Sequence, residues 1–410
     1  MKTRYGVSPW IHQFPDSRRP DYPRFKGERS ADVVIVGGGL TGCAAAYAFA
    51  AAGLKTVLLE RDRIGHGSTG RSAGLLLPDP GPAFGPTVSA HGLRAARTAF
   101  EGWRRGSLEA AALLRKLKIQ CNLEPRQTVI VPARGEEKAF KREYEAREAA
   151  GLAVAWLSQR QIKTLMNLDA AIGVRSRDSF TLDPYRACVG MATAARKRGA
   201  VMFERSTLKK VRLASQDLEV TTDAGTIRTA AIVVATLTAT AEFKPLRRHF
   251  TPRETYLVET APVPAAMRKQ LGDRDTILRE TVLRDTTTPP YRVRSADEDR
   301  LLLAGADQDE TPAKTRGAVL VQRTGQLMYE LLTRYTAISG LQPEYGWESA
   351  YGETADGLMY IGPHRNYPRH LFALGGGRDS VTGAFVAARI LLRALQGEPE
   401  KADAVFGWAR

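Results

Sequence analysis

A glycine-rich turn between two apolar segments constrains this chain more than any other feature of its sequence. The apolar run Val33–Val36 leads directly into the residues GGGLTG at 37–42, and an alanine-rich segment follows up to Gly53. A second apolar run, Thr56–Leu59, then ends in Glu60. This order of strand, glycine loop, helix, strand and acidic residue predicts a βαβ unit that binds a dinucleotide.

Each part of the turn has a physical role in such a site. Gly37 permits the tight turn out of the strand, Gly39 lets a pyrophosphate approach the backbone, and Gly42 lets the helix lie close to the sheet. The unpaired N–H groups and the positive dipole end of the helix then face the phosphates. Glu60 accepts hydrogen bonds from ribose hydroxyls, and its charge disfavours a 2′-phosphate, so NADP is not expected.

The segment that follows Glu60 indicates which dinucleotide binds. Residues 61–74 read RDRIGHGSTGRSAG, a second loop rich in glycine and serine, where an NAD-binding domain normally continues into a helix. This loop resembles the flavin-contacting segment of the D-amino-acid oxidase-like FAD oxidoreductases, which include sarcosine, glycine and dimethylglycine oxidising enzymes.

Three further stretches resemble the same family. They are DPYR at 183–186, where the chain would return to the cofactor domain, AAIVVA at 230–235, and the closing segment, DGLMYIGP at 356–363 followed by LGGGRDSVTG at 374–383. The resemblance extends from about Ser30 to Leu395, and it implies FAD as the cofactor. The FAD contacts that it implies are Gly37, Gly39, Leu40, Thr41, Gly42, Glu60, Arg61, Ser68, Thr69, Arg71, Ser72, Ala73, Gly74, Val211, Gly377, Arg378, Asp379, Ser380 and Val381.

The chain departs from the family at the positions that hold flavin covalently in some relatives. Arg71 stands where those relatives have a histidine, and Ser349 where others have a cysteine. Neither side chain forms such a bond, so we expect FAD to be dissociable. The core strand also ends in Ala235 and Thr236 instead of the usual glycine.

Composition and charge limit the other classes of function. The chain has 60 Lys and Arg against 44 Asp and Glu, a net charge of +16, but the basic residues are dispersed and lack interleaved aromatics, so nucleic-acid binding is not expected. No apolar run approaches the roughly 20 residues of a membrane span. Three cysteines lie far apart in sequence, which predicts neither a metal site nor disulfides and favours a reducing cytoplasm.

The order of the motifs predicts two interleaved domains. A doubly wound α/β, Rossmann-like FAD domain with an N-terminal arm would comprise residues 1–118, 182–242 and 341–410. An α+β substrate domain with an antiparallel sheet would comprise 119–181 and 243–340 and would roof the flavin ring. Strands are predicted at 127–132, 253–263, 290–294 and 300–305, and helices at 93–117, 136–150 and 315–335.

The strand at 290–294 contains the candidate substrate residues. The resemblance implies a carboxylate-binding arginine here, and Arg294 matches it best, with Arg292 on the same strand face by period-two alternation. A planar guanidinium suits a carboxylate because it donates two parallel hydrogen bonds. Tyr291 and Tyr351 are further candidates for the pocket. The alternative is that both arginines are solvated residues of an edge strand.

The closing segment is expected to meet the flavin. Arg378 and Asp379 would contact the pyrimidine edge of the ring, where charge accumulates on reduction. The alternative is that they form a surface ion pair. The sequence assigns no catalytic side chain, because flavin N5 would accept the hydride, and it shows no nucleophile or metal cluster.

The expected activity is the oxidation of the C–N bond of an amine or amino acid to an imine. Oxygen, a quinone or a carrier protein would reoxidise the flavin. Two alternatives stay open: an FAD enzyme of the same fold that acts on a 2-hydroxy acid or a nucleic-acid-linked amine, and a flavin-binding module without turnover in a complex.

Overall fold

The computed structural model describes residues 2–133, 135–214, 216–272, 276–281 and 291–410. The strands are β1 (Arg4–Tyr5), β2 (Gly27–Val36), β3 (Thr56–Leu59), β4 (Leu75–Leu76), β5 (Glu124–Pro132), β6 (Val154–Ser158), β7 (Ile172–Thr181), β8 (Val201–Phe203), β9 (Leu208–Ala214), β10 (Asp217–Thr222), β11 (Gly225–Leu237), β12 (Thr251–Thr260), β13 (Thr276–Thr281), β14 (Arg292–Ser295), β15 (Leu301–Asp309), β16 (Pro343–Glu353), β17 (Tyr360–His364) and β18 (Tyr367–Leu374).

The α-helices are α1 (Pro9–His12), α2 (Leu40–Ala51), α3 (Phe84–His91), α4 (Leu93–Lys116), α5 (Glu137–Ala149), α6 (Gln159–Met166), α7 (Pro184–Lys197), α8 (Ala265–Arg268), α9 (Arg316–Arg334) and α10 (Val381–Gln396). Short 3₁₀ helices occur at Asp16–Arg18, Thr69–Arg71, Ala241–His249, Thr336–Ile338 and Lys401–Phe406.

The smaller sheet is built on the predicted βαβ unit. Its strand order is β17-β18-β11-β2-β3-β8, and β2 pairs in parallel with both β3 and β11. Parallel strands of this kind are covered on both faces, which is why β2 needs an uninterrupted apolar run. Val33, Val34 and Ile35 are accordingly buried. Helices α2, α7 and α10 pack together against this sheet.

The larger sheet is mostly antiparallel, with the order β1-β16-β12-β15-β14-β13-β5-β7-β4 and β6 on β7. Alternate residues divide between its faces. Tyr256, Val258 and Leu303 form one core with Leu327 of α9. Residues of the opposite alternation, such as Leu302, belong to a separate cluster on the other face. Each face of this sheet is therefore covered by a different part of the chain.

The second face of the larger sheet meets the N-terminal arm and the loop after β3. Leu257, Leu302 and Trp347 cluster there with Trp10 and Leu75. In β14, Arg294 is opposite Leu302, and Arg292 is opposite Ala304, so both arginines lie on this face. The sheet thus presents its predicted substrate residues toward the glycine-rich segments.

The expected fold class is confirmed: a doubly wound α/β unit is combined with a second unit that carries an antiparallel sheet. The division of the chain into two domains stays a prediction. One element bears on its limits, because β16 falls in the range 341–410 assigned to the cofactor domain but pairs with β12 in the larger sheet. Pro290, included in the predicted strand at 290–294, lies outside the described residues.

Among the helices of the described segments, none has the combination of length and hydropathy that a membrane crossing requires.

The packing of α2 on β2 yields a stability prediction. A Cβ atom on Gly42 would lie far inside the contact distance of the Gly37 carbonyl oxygen. We expect Gly42→Ala to lower the free energy of unfolding by about 1–3 kcal/mol, the usual cost of overpacking. Gly102→Ala is the matched control, because Gly102 lies in α4 with no neighbour within 4 Å of its added Cβ.

Urea unfolding followed by circular dichroism measures both variants. The control should gain about 0.5–1 kcal/mol, since alanine is the better helix former. Equal stability of the two variants would contradict the close contact at Gly42.

Candidate active site

The glycine loop leaves the first turn of α2 open. Gly37 has a φ of 113°, which favours glycine, and it directly follows β2. The N-cap residue of α2, Gly39, provides no side-chain cap, and Leu40 and Thr41 lie in the first turn. The Leu40 N–H donates to Thr69 Oγ1 at 3.0 Å. The loop therefore presents backbone donors at a positive helix end, an arrangement that suits a pyrophosphate.

Glu60 lies directly against this loop. Its Oε2 accepts from the Gly38 N–H at 2.6 Å, and its Oε1 accepts from the Asp62 N–H at 2.8 Å. A carboxylate offers about four acceptor positions, so further hydrogen bonds to ribose hydroxyls are compatible with both contacts. Arg61, the next residue, is exposed.

The second glycine-rich loop connects the two sheets. Its Gly65 N–H donates to the Gly38 carbonyl at 2.9 Å, which ties it to the glycine loop. Ser68 Oγ donates to the Ala350 carbonyl of β16 at 2.7 Å, and Trp347 Nε1 donates to the Arg71 carbonyl at 2.8 Å. The loop therefore has fixed contacts with both sheets.

The end of this loop meets the N-terminal arm. Arg71 pairs with Glu348 at 2.9 Å, so its side chain is held against β16. Trp10 Nε1 donates to the Ser72 carbonyl at 3.0 Å, and Ala73 packs in the same cluster as Trp10. Gly74 follows with a φ of 65°.

The closing loop after β18 holds a buried charge cluster with the larger sheet. Arg378 forms an ion pair with Asp307 of β15, and Tyr351 Oη donates to Asp307 Oδ2 at 3.1 Å. Arg292 Nε lies 3.4 Å from Asp379 Oδ1. Gly377 has a φ of 63°, and Ser380 and Val381 lead into α10 as its N-cap and first residue. Arg378 and Asp379 therefore each pair with a residue of the larger sheet, and they do not simply pair with each other at the surface.

Asp307 is a site residue that the sequence reasoning missed. It is 8% exposed. Burial opposes its ionisation, but the guanidinium groups of Arg378 and Arg292 hold the pKa of Asp307 below its usual range. The available signal was an aspartate that directly follows the apolar run LLLAGA at 301–306.

Arg294 has a different environment from Arg292. It is 6% exposed, and its guanidinium carbon lies 5.2 Å from the centroid of the Trp10 ring. Within the described part of the chain, its Nε and Nη2 atoms have no hydrogen-bond partner. Burial lowers the pKa of Arg294 to about 10, although the nearby charges of Glu259 and Asp297 favour the cation, so the guanidinium stays charged at neutral pH. A cation left in this state is costly unless an anion binds it.

Arg294 also lies close to the second loop. A Cβ on Gly74 would come within 3.3 Å of Arg294 Nη2, so glycine leaves room for the guanidinium there. The same arginine lines a cavity of about 500 Å³. The burial of both arginines, and the pairing of β14 with β13 and β15, exclude the solvated edge strand considered from the sequence.

The structure places two of the predicted site residues, Tyr291 and Val211, in other contacts. Tyr291 lies on the opposite face of the larger sheet, where Gln326 of α9 donates to its hydroxyl at 3.3 Å. Adjacent residues of a strand point to opposite faces of the sheet, so Tyr291 points away from the face that carries Arg292. The assignment of Tyr291 to the pocket therefore needs correction. The Val211 N–H in β9 donates to Glu242 Oε1 at 2.9 Å, which occupies that donor within the protein.

A family model described as DAO, FAD dependent oxidoreductase, matches residues 32–394. The chain belongs to this family. The family uses FAD, and its members include oxidases and dehydrogenases, so the chain is an FAD-dependent oxidoreductase.

Individual members of the family are distant in sequence. The probable oxidoreductase OrdL of Haemophilus influenzae is 24% identical over 94% of this chain and 88% of its own length. Glycine oxidase of Bacillus licheniformis is 24% identical over 91% of this chain and 95% of its own length. The crystal structure of glycine oxidase from Geobacillus kaustophilus superposes with a TM-score of 0.74 at 18% identity, covering 93% of this chain and 99% of that one.

The residues present fit FAD. The uncapped start of α2, the glycine contacts at residues 37–42 and the position of Glu60 match the needs of a dinucleotide. Among the described residues, no group of three or more His, Cys, Asp or Glu side chains is arranged to hold a metal ion.

The position of Glu60 predicts its role in cofactor affinity. We expect Glu60→Ala to raise the dissociation constant of FAD by about 30- to 150-fold, because it removes charge-assisted hydrogen bonds worth roughly 2–3 kcal/mol. Turnover of the loaded enzyme should change little, since the ribose is remote from the reacting ring. Titration of the apoprotein with FAD, followed by flavin fluorescence, gives the constant.

Asp32→Ala is the control for this variant. Asp32 Oδ2 also accepts a backbone N–H, from Lys55 at 2.7 Å, but it lies at the other end of the apolar part of β2. Unchanged FAD affinity in Glu60→Ala would place the ribose elsewhere.

Proposed function

We propose that this FAD-dependent oxidoreductase oxidises the C–N bond of an amine that carries a carboxylate, such as an amino acid, and that Arg294 binds the carboxylate. One observation carries the proposal: the buried guanidinium of Arg294 has two nitrogen atoms without a partner among the described residues, and it lines a cavity of about 500 Å³. A planar guanidinium with unused donors suits a carboxylate that arrives with the substrate.

Arg292 is the weaker candidate for the same role. Its Nη2 donates to Thr255 Oγ1 at 3.3 Å, and its Nε lies close to Asp379. A substrate carboxylate would have to compete with Asp379 for this guanidinium. Arg292 therefore serves mainly to hold the closing loop against the larger sheet.

The chain's own residues would bind and orient the two reactants. The first turn of α2 and Glu60 would hold the pyrophosphate and ribose of FAD, and the loops at 61–74 and 375–381 would border its ring. Bound flavin would supply the acceptor for a hydride from the carbon that carries the neutral amine. The amine would then become an iminium ion, which gives the imine when it loses a proton. Asp307, Tyr351 and Arg378 would keep the closing loop in place and limit access of water.

The names of relatives support this substrate class. One relative is a glycine oxidase, and another is a human mitochondrial sarcosine dehydrogenase, 30% identical over 48% of this chain and 21% of its own length. Both names specify substrates that combine an amine with a carboxylate. Reoxidation by oxygen, a quinone or a carrier protein completes the proposed reaction.

We expect FAD to be bound without a covalent link. Arg71 is engaged with Glu348, and Ser349 is buried in β16 opposite Thr255, and neither side chain forms a bond to flavin. Purified protein precipitated with acid should release its yellow pigment into the supernatant, at about one FAD per chain for one glycine loop. Flavin retained in the washed pellet would contradict this expectation.

The two arginines of β14 give the test of the proposed function. With flavin content matched, we expect Arg294→Ala to weaken binding of a reducing amino acid by roughly 2–5 kcal/mol, because its carboxylate loses a desolvated partner. That corresponds to an increase in the dissociation constant of about 30-fold to several thousand-fold. Anaerobic flavin reduction at varied substrate concentration measures it.

Arg292→Ala and Arg294→Lys are the comparisons. Arg294→Lys should recover only part of the affinity, because an ammonium group does not make the two-pronged contact. Loss of affinity in Arg292→Ala alone would indicate that Arg292, and not Arg294, binds the carboxylate. If both alanine variants bind the substrate like the parent, β14 does not hold the carboxylate.

A further inference from the structure

The cavity beside Arg294 is larger than a carboxylate requires. Its volume of about 500 Å³ falls in the range of sites for small organic ligands. The described residues around it come from the N-terminal arm, the start of β5, the end of β7 and the turn between β14 and β15. Several separate segments therefore shape one space next to the proposed carboxylate site.

The charge of this cavity is opposite to that of the whole chain. The chain has a net charge of +16, whereas the described lining includes five carboxylate side chains and only two guanidinium groups, Arg126 and Arg294. The described lining is therefore richer in acidic side chains than the chain as a whole. The five carboxylates belong to Glu124, Asp183, Asp297, Glu298 and Asp299.

Three of these carboxylates have cationic partners of their own. Asp183 pairs with Arg186 at 3.2 Å, Glu298 pairs with Arg300, and Asp299 pairs with Arg268. Their charge is compensated locally, so they are poor candidates for a ligand. The carboxylates that remain to be considered are those of Glu124 and Asp297.

Glu124 and Asp297 border the cavity from two neighbouring segments. Glu124 is the first residue of β5 and is exposed, and Asp297 is exposed in the turn between β14 and β15. Asn122 Nδ2 donates to Asp297 Oδ2 at 2.6 Å, which holds that turn against the segment before β5. A neutral amide donor leaves the charge of Asp297 in place. Both acidic groups therefore lie at the rim, and Arg294 lies inside.

The buried cation of the described lining is thus Arg294, and Glu124 and Asp297 are exposed carboxylates at the rim. The partly exposed Arg126 also borders the cavity. We propose that its ligand is a substrate with a carboxylate and, beyond the oxidised amine, a second basic group, as in a diamino acid. The carboxylate binds Arg294, and the distal ammonium or guanidinium group binds Glu124 and Asp297. This inference rests on the proposed function, and it names the substrate class of the same site.

Charge at the rim gives a measurable preference. A ligand with a distal ammonium gains attraction to two carboxylates, while an uncharged ligand of the same length gains none. We expect a tenfold or greater preference for the charged ligand at low ionic strength, and a smaller preference in salt, because exposed charges are screened.

The test uses FAD-loaded protein kept anaerobic, with lysine and 2-aminoheptanoate as ligands. In 2-aminoheptanoate a methyl group replaces the distal ammonium of lysine, and the two ligands are otherwise alike. Both enantiomers of each ligand are measured. Calorimetric titration measures binding, and flavin absorbance measures reduction in the same solutions. The variants are Glu124→Gln, Asp297→Asn and their combination, and Asp217→Asn in β10 is the control, an exposed acid in the other sheet.

We expect the parent and Asp217→Asn to bind lysine at least tenfold more tightly, and the double variant to bind both ligands equally. Equal affinities in the parent, a preference that survives in the double variant, or binding of neither ligand would overturn the inference. Preferential binding of lysine without flavin reduction would support the acidic subsite for the distal ammonium and contradict the proposed oxidation. Flavin reduction by both ligands with equal affinity would support the proposed oxidation and contradict the acidic subsite.

Discussion

The contact between Gly42 and the carbonyl oxygen of Gly37 is the constraint on which the rest of the site depends. Because Gly42 has no Cβ atom, α2 can begin close to the end of β2, and its N-cap residue, Gly39, provides no side-chain cap. That position places the Gly38 N–H on the carboxylate of Glu60 and the Gly38 carbonyl on the N–H of Gly65. The positions of Glu60 and of the second loop beside the glycine turn therefore depend on one close backbone approach.

The second loop is hydrogen-bonded to the larger sheet, so the position of the sheet is tied to that of the glycine turn. Ser68 reaches the backbone of β16, and Trp347 of β16 reaches back to the Arg71 carbonyl. Beside them, the missing Cβ of Gly74 leaves space for Arg294. Two arginines on one strand face therefore have different environments: Arg292 meets Thr255 and Asp379, whereas Arg294 meets an aromatic ring and a cavity.

The sequence predicted the parts of the fold that depend on local order along the chain. Strand β2, the glycine loop, α2, β3 and Glu60 follow from spacing within 28 residues, 33–60, and their arrangement is confirmed. Features set by pairing between distant segments were harder to predict. The face occupied by Tyr291, the pairing of β16 with β12, and the burial of Asp307 beside Arg378 depend on strand register and on the closing loop, which composition and periodicity do not specify.

The proposed reaction is the oxidation of amines that carry a carboxylate. The most direct measurement is anaerobic bleaching of the visible absorption of the bound flavin by a panel of simple amines, amino acids and 2-hydroxy acids. We expect bleaching by amino acids and none by the matching 2-hydroxy acids or by amines without a carboxylate. Bleaching by 2-hydroxy acids alone, or by no organic donor while dithionite still reduces the flavin, would contradict it.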